Sequence, residues 1–186
     1  PVLSTDLTFA LVGRSMVVGV ACGIAAIAFI ESIEAVRRRM AATVSFAPLR
    51  PAIGGVAALV LMGVFGRDYL GLSTSLIAGA FAGDVTTFDV ASLKLLFTVA
   101  CLGAGFIGGE VTPLFVIGST LGAAVSAALG LDPVVGAMLG FGATFAGATN
   151  TPIACTVLAV EMFGVDAVIP AGVAALCSYL VSGQRG

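Results

Sequence analysis

The sequence predicts an all-α polytopic membrane protein built from tilted, short and broken helices, and three observations carry that prediction. Of the 186 residues, 59% are hydrophobic and only 10% charged, against a charged share of about 25% in soluble domains. No charge occurs between Arg14 and Glu31, between Glu110 and Asp132, or between Asp132 and Glu161. Glycines and prolines, 25 and 7 in number, cut these tracts into pieces, several shorter than the ~20 residues that cross a bilayer. A soluble helix bundle would need charged outer faces that such tracts lack.

The first helix is expected from about Leu7 to Met40, longer than a single crossing needs, so it must tilt or project from the membrane. Its tail, Glu31 to Arg39, sets Glu34 and Arg38 at i,i+4 and is wet. Arg37, Arg38, Arg39 and Arg50 flank one short interhelical segment, which the positive-inside rule places in the cytoplasm. The triplet suits anionic lipid heads, and as a topology signal it argues against nucleic-acid binding. A second helix is expected from Pro51 to Phe65, then a polar turn from Gly66 to Gly71. Ser73 to Phe81 is too short to cross and should dip into the membrane or lie on its surface.

After a turn from Gly83 to Asp89, a helix from Val90 to Phe106 leads to Gly103-Ala104-Gly105-Phe106-Ile107-Gly108-Gly109-Glu110-Val111-Thr112-Pro113. The next helix should run to Ala128, with Thr112 as its cap and Pro113 at its first position. Leu129 to Pro133 is a turn, and Pro133 to Phe145 a glycine-containing helix. Asn150-Thr151-Pro152 repeats the break and restart, opening a short helix to Met162. The last helix should run from about Val168 to Val181. Gly118/Gly122 and Gly136/Gly140 are small enough to let helix backbones approach closely.

Half-helices that stop at mid-membrane are permitted only where their ends are buried in protein or face a water-filled cavity. Their N-terminal N–H groups carry partial positive charge and seat anions. Gly109, Glu110, Val111, Thr112 and Pro113 are therefore the first candidate anion site. Glu110 is the one carboxylate of its tract, and ionised it would repel the anion that the helix start attracts. Desolvation or a nearby anion would favour its protonated form. Asn150, Thr151 and Pro152 form a second, uncharged candidate. Glu161 is expected to serve structure, either hydrogen-bonded or facing the surface, and Phe106, Phe115, Phe141 and Phe145, which could line a conduit, are expected to pack.

Enzymatic chemistry has little to work with. The chain contains no histidine, so there is no partner for a Ser or Cys nucleophile and no ligand set for the usual zinc or haem sites. No metal or cofactor is expected. Cys22, Cys101, Cys155 and Cys177 are scattered through apolar runs without a CxxC pair and read as small hydrophobes. Pro1 to Asp6 shows neither an initiator Met nor a basic leader, so the chain reads as a piece of something longer.

On these elements the sequence resembles the C-terminal half of the CLC family of anion channels and proton-coupled antiporters. The resemblance rests on the long first helix with a basic tail, Gly109 to Pro113, Phe115 to Gly122, and Thr151-Pro152 followed by Leu158 to Met162. It implies one membrane domain over residues 1–186, the second of two inverted repeats, with the first repeat absent, in a subunit that pairs as a homodimer. Chloride-handling members usually carry Gly-(Ile/Lys)-Phe-x-Pro, where this chain has Gly-Glu-Val-Thr-Pro, which is similar to the bacterial fluoride-exporting branch. The implied activity is fluoride/proton antiport across a bacterial inner membrane, with the N–H groups of Glu110 and Val111, the Thr112 hydroxyl and Glu110 lining the anion path. The alternatives are a voltage-gated-type chloride channel or chloride/proton antiporter, and a non-transporting membrane scaffold. The family's gating glutamate belongs to the first repeat, and its anion-facing tyrosine falls beyond Gly186, Tyr179 being too early. The fragment is thus expected to lack transport of its own.

Overall fold

A computed structural model describes residues 9–84 and 87–183. Among them eight α-helices follow in order: α1 (Phe9–Thr43), α2 (Leu49–Phe65), α3 (Thr74–Ala82), α4 (Phe88–Gly103), α5 (Val111–Ala128), α6 (Pro133–Thr149), α7 (Pro152–Phe163) and α8 (Val168–Ser182), with a 3-10 turn at Val165–Ala167. Phe9–Thr43, Val111–Ala128 and Val165–Ser182 are long and apolar enough to cross a membrane. The expected start at Leu7, the stretch Pro1 to Asp6, Val85 and Thr86 of the expected turn, and Gln184 to Gly186 lie outside the described residues.

The expected elements are present with shifted ends, and backbone chemistry sets the shifts. α4 stops at Gly103 instead of Phe106, because Gly105 takes φ 100° and turns the chain. α6 continues to Thr149, past the expected Phe145, until Asn150 ends it in the left-handed region at φ 58°. Its other end is fixed by Asp132, whose carboxylate accepts the Val134 N–H at 2.9 Å.

α5 and α6 form the centre. A Cβ added at Gly118 would fall on the Gly140 carbonyl oxygen, and one at Gly122 on that of Gly136. The glycine pairs therefore allow the close approach that the sequence predicts, and van der Waals packing between backbones holds the pair. α1 and α8 approach in the same way through Gly19 and Gly23 against Ala174 and Ser178. Phe115 stacks on Phe141 with ring centroids 4.1 Å apart and touches Phe145 at 5.2 Å, while Phe163 meets Phe141 edge-on. Phe115, Phe141 and Phe145 thus pack, as expected, whereas Phe106 is exposed and lines a cavity.

The outer faces are apolar. Val56, Leu59, Val60 and Val64 of α2 are more than half exposed, which suits hydrocarbon and not water. At the wet end of α1, Arg38 Nη1 donates to Glu34 Oε2 at 3.4 Å, the expected i,i+4 pair. Arg50 Nε donates to Val44 O at 2.9 Å and closes the basic turn between α1 and α2. Glu161 is exposed, the surface-facing one of its two expected settings.

Candidate ion site

Residues 104–110 carry the chain from the end of α4 to the start of α5. Gly105 to Val111 are exposed, Ile107 completely so, whereas Pro113 and Leu114 are buried. A Cβ at Gly109 would meet no atom within 4 Å, so the backbone there is open to a small ligand. Glu110 itself is exposed, so of the two causes expected to favour its protonated form, desolvation or a nearby anion, desolvation does not act on it among the described residues.

The helix start also differs from expectation. α5 begins at Val111 with Glu110 at the cap position (φ −90°, ψ −12°), and no side chain caps it. Thr112 is the second helical residue and Pro113 the third. Proline fits equally well there, since none of the first-turn N–H groups has an intrahelical acceptor. Leu114 N–H already reaches Glu110 O at 3.2 Å. The N–H groups of Glu110, Val111 and Thr112 thus form the helix's positive end, with the partly buried Thr112 hydroxyl beside them.

Two cavities meet this segment and share no lining residue. The first, about 310 Å³, takes in Glu110 at the cap position, Leu114 of α5, Thr149 at the end of α6, and Ile33, Glu34 and Arg37 of α1. The second, about 270 Å³, takes in Gly108, Gly109 and Pro113 together with Tyr69 and Lys94. The short loop therefore forms part of the wall of both.

Lys94 is a residue that sequence reading missed. Its side chain is buried, and its ammonium donates to Tyr69 O at 3.1 Å, Gly71 O at 2.7 Å and Ser73 Oγ at 2.8 Å. All three N–H donors are used, which holds the turn before α3 against α4. The Tyr69 ring adds a contact with Phe97 at 5.6 Å. Burial, then the nearby Asp89 and Asp68 carboxylates, push the Tyr69 phenol above its ordinary range, so it stays neutral at physiological pH. A lone lysine amid the apolar run Val90 to Phe106 was the available signal.

The second candidate start is built differently. Thr151 occupies the cap position of α7 with Pro152 first in the helix, as expected. Its hydroxyl makes no capping bond and lies 2.6 Å from Thr149 Oγ1 and 3.7 Å from Cys155 Sγ. Thr149 lines the cavity with Glu110, while Asn150, Thr151 and Pro152 are not part of that wall. The structure so joins the first candidate to the end of α6 through Thr149, which sequence reading did not single out.

Residues 2–183 match the family described as voltage gated chloride channel. The chain belongs to this family. Among similar proteins, the "Chloride/fluoride channel protein" of Pseudomonas syringae pv. tomato is 38% identical over 175 residues, covering 90% of this chain and 38% of the relative. An "H(+)/Cl(-) exchange transporter" of Vibrio parahaemolyticus is 34% identical over 119 residues, 55% of this chain and 26% of the relative. A crystal structure of a CLC-type fluoride/proton antiporter matches with TM-score 0.91 and 32% identity, covering 97% of this chain and 46% of that one. The structure of a slow cyanobacterial Cl-/H+ antiporter, 19% identical with TM-score 0.77 over 97% of this chain and 48% of that one, shares the fold. The chain spans less than half the length of each of these relatives.

Proposed function

We propose that residues 1–186 are the second of two repeats of a subunit that exchanges fluoride for protons across a bacterial inner membrane, working as a homodimer in the lipid bilayer. The observation that carries the reading is the open α5 start, where the N–H groups of Glu110, Val111 and Thr112 stand between two cavities with the single carboxylate of their tract. The likeness to a fluoride/proton antiporter structure supports the choice of ion. Fluoride is the smallest halide and the strongest hydrogen-bond acceptor, so it gains most from an added Thr112 hydroxyl or a protonated Glu110. Glu110 would hold the proton and Gly109 would leave room for the ion against the backbone.

The test is flux from liposomes containing the full-length protein. Fluoride should leave at least about tenfold faster than chloride, a difference of about 1.4 kcal/mol in selectivity, with protons moving the opposite way. Chloride moved as readily as fluoride would overturn the fluoride assignment. Chloride exchanged for protons would favour the second reading, which the likeness to the Vibrio relative supports. Absence of any halide flux would favour a membrane scaffold.

A further inference from the structure

We propose that Arg37, restrained by Glu34, collects the anion at the mouth of the cavity that reaches Glu110; the proposal rests on the anion-transport reading and extends it to residues of α1. The cavity wall is otherwise apolar, formed by residues such as Phe29, Ile33 and Leu114, and its polar side chains are Glu34, Arg37, Glu110 and Thr149. Arg37 is the one cation among them. Its side chain is 62% exposed and that of Glu34 48%, so the pair stands at the wet rim, whereas Thr149 and Leu114 lie deeper.

Arg37 Nη1 is 3.8 Å from Glu34 Oε1, too long for a hydrogen bond, and the other carboxylate oxygen pairs with Arg38 at 3.4 Å. Glu34 is thus shared between two guanidinium groups. An exposed pair of this kind is worth at most about 1 kcal/mol, and Arg37 keeps N–H donors for an incoming halide. The cavity wall carries two carboxylates and one guanidinium, and Arg38 sits on Glu34 at its edge, so Arg37 is the group of that wall that attracts an approaching anion. Glu34 opposes it. By the positive-inside rule this rim faces the cytoplasm, the side from which an exporter takes its ion.

The bland account is a helix-surface ion pair on a solvated tail. The two differ in sign. If the pair only steadies α1, breaking it from either partner has the same consequence. If Arg37 collects anions, neutralising Arg37 and neutralising Glu34 act in opposite directions.

The experiment measures the fluoride concentration dependence of transport by the full-length protein in liposomes, separately from each side. Arg37→Gln should raise KM on the α1-tail side by about fivefold, the equivalent of about 1 kcal/mol, with kcat and the other side unchanged. Arg37→Lys should stay within about twofold of the native protein, and Glu34→Gln should lower KM by about twofold. Both shifts should shrink in about 1 M non-halide salt, where the Debye length falls to about 3 Å. Shifts of the same sign for Glu34→Gln and Arg37→Gln, or an unchanged KM in Arg37→Gln, would overturn the proposal. If chloride proves to be the transported ion, the same opposed shifts are read with chloride, so failure of the fluoride assignment stays separate from failure of Arg37.

Discussion

Thr112-Pro113 and Thr151-Pro152 are the same dipeptide, each in the first turn of a helix that restarts after a break, yet the molecule treats them differently. Before α7 the break is a single tight joint. Asn150 takes the left-handed conformation, the Thr151 N–H reaches Ala146 O at 3.3 Å, and its hydroxyl is occupied by Thr149 and Cys155. Before α5 the break is a whole loop, residues 104–110, turned by Gly105 and left exposed. Three N–H groups point out of that helix end, a carboxylate sits at the cap position, and cavities lie against both flanks. The lesson is that a Thr-Pro restart marks where a helix begins, while loop length and what surrounds it decide whether the positive end is left open.

The largest effect is expected at the α5–α6 contact, which positions both starts. Gly118→Leu puts a side chain where the Gly140 carbonyl lies, and α5 and α6 cannot separate without moving both helix starts. Overpacking of this kind costs about 1–3 kcal/mol where neighbours can yield; here the obstacle is backbone, so loss of monodisperse full-length protein on size exclusion is expected. Glycine-to-alanine at Gly13, which has open space around it, should leave elution unchanged.

A smaller effect is expected at the wall of the Gly108–Gly109 cavity. Lys94→Met removes three charge-assisted hydrogen bonds. Since Gly71 is exposed and its carbonyl can regain water, the net loss should be about 2–3 kcal/mol, read as a lowered denaturation midpoint in detergent. An unchanged midpoint would mean that the turn from Tyr69 to Ser73 is held by the Tyr69–Phe97 contact alone.

The mildest substitutions separate the two starts directly. Thr112→Val keeps the shape and deletes the hydroxyl beside the open N–H groups, and should weaken fluoride binding by about tenfold, one hydrogen bond to an anion. Thr151→Val deletes a hydroxyl engaged only with Thr149 and Cys155, and should leave binding within about twofold. Calorimetric titration of fluoride into each full-length variant checks both. Equal weakening would erase the functional distinction between the starts.

Much of this was legible in the sequence because lipid simplifies the code. Uncharged tracts gave the helices, and Gly118/Gly122 with Gly136/Gly140 gave the central contact, since only small residues let two backbones touch. The Thr-Pro pairs marked both restarts. The helix boundary at α5 was misplaced because proline is compatible with any first-turn position, so Pro113 alone does not say which one it fills. The cavities were not legible at all. They bring Glu110 together with Thr149 and Arg37, residues separated along the chain by long tracts, and no local pattern encodes that meeting. Lys94 stood in plain view as a lone charge, but its role depends on carbonyls of a turn more than twenty residues earlier.

Glu110 at the open start is tested by simultaneous recording of fluoride and proton movement by the full-length protein carrying Glu110→Gln. The amide keeps the size and cannot exchange a proton. Coupled exchange should be lost, with fluoride flux slowed or freed from proton movement, while the fold and elution remain those of the native protein. Fluoride and proton fluxes both equal to the native values would contradict a direct role for Glu110 and with it the assignment of the α5 start as the ion site.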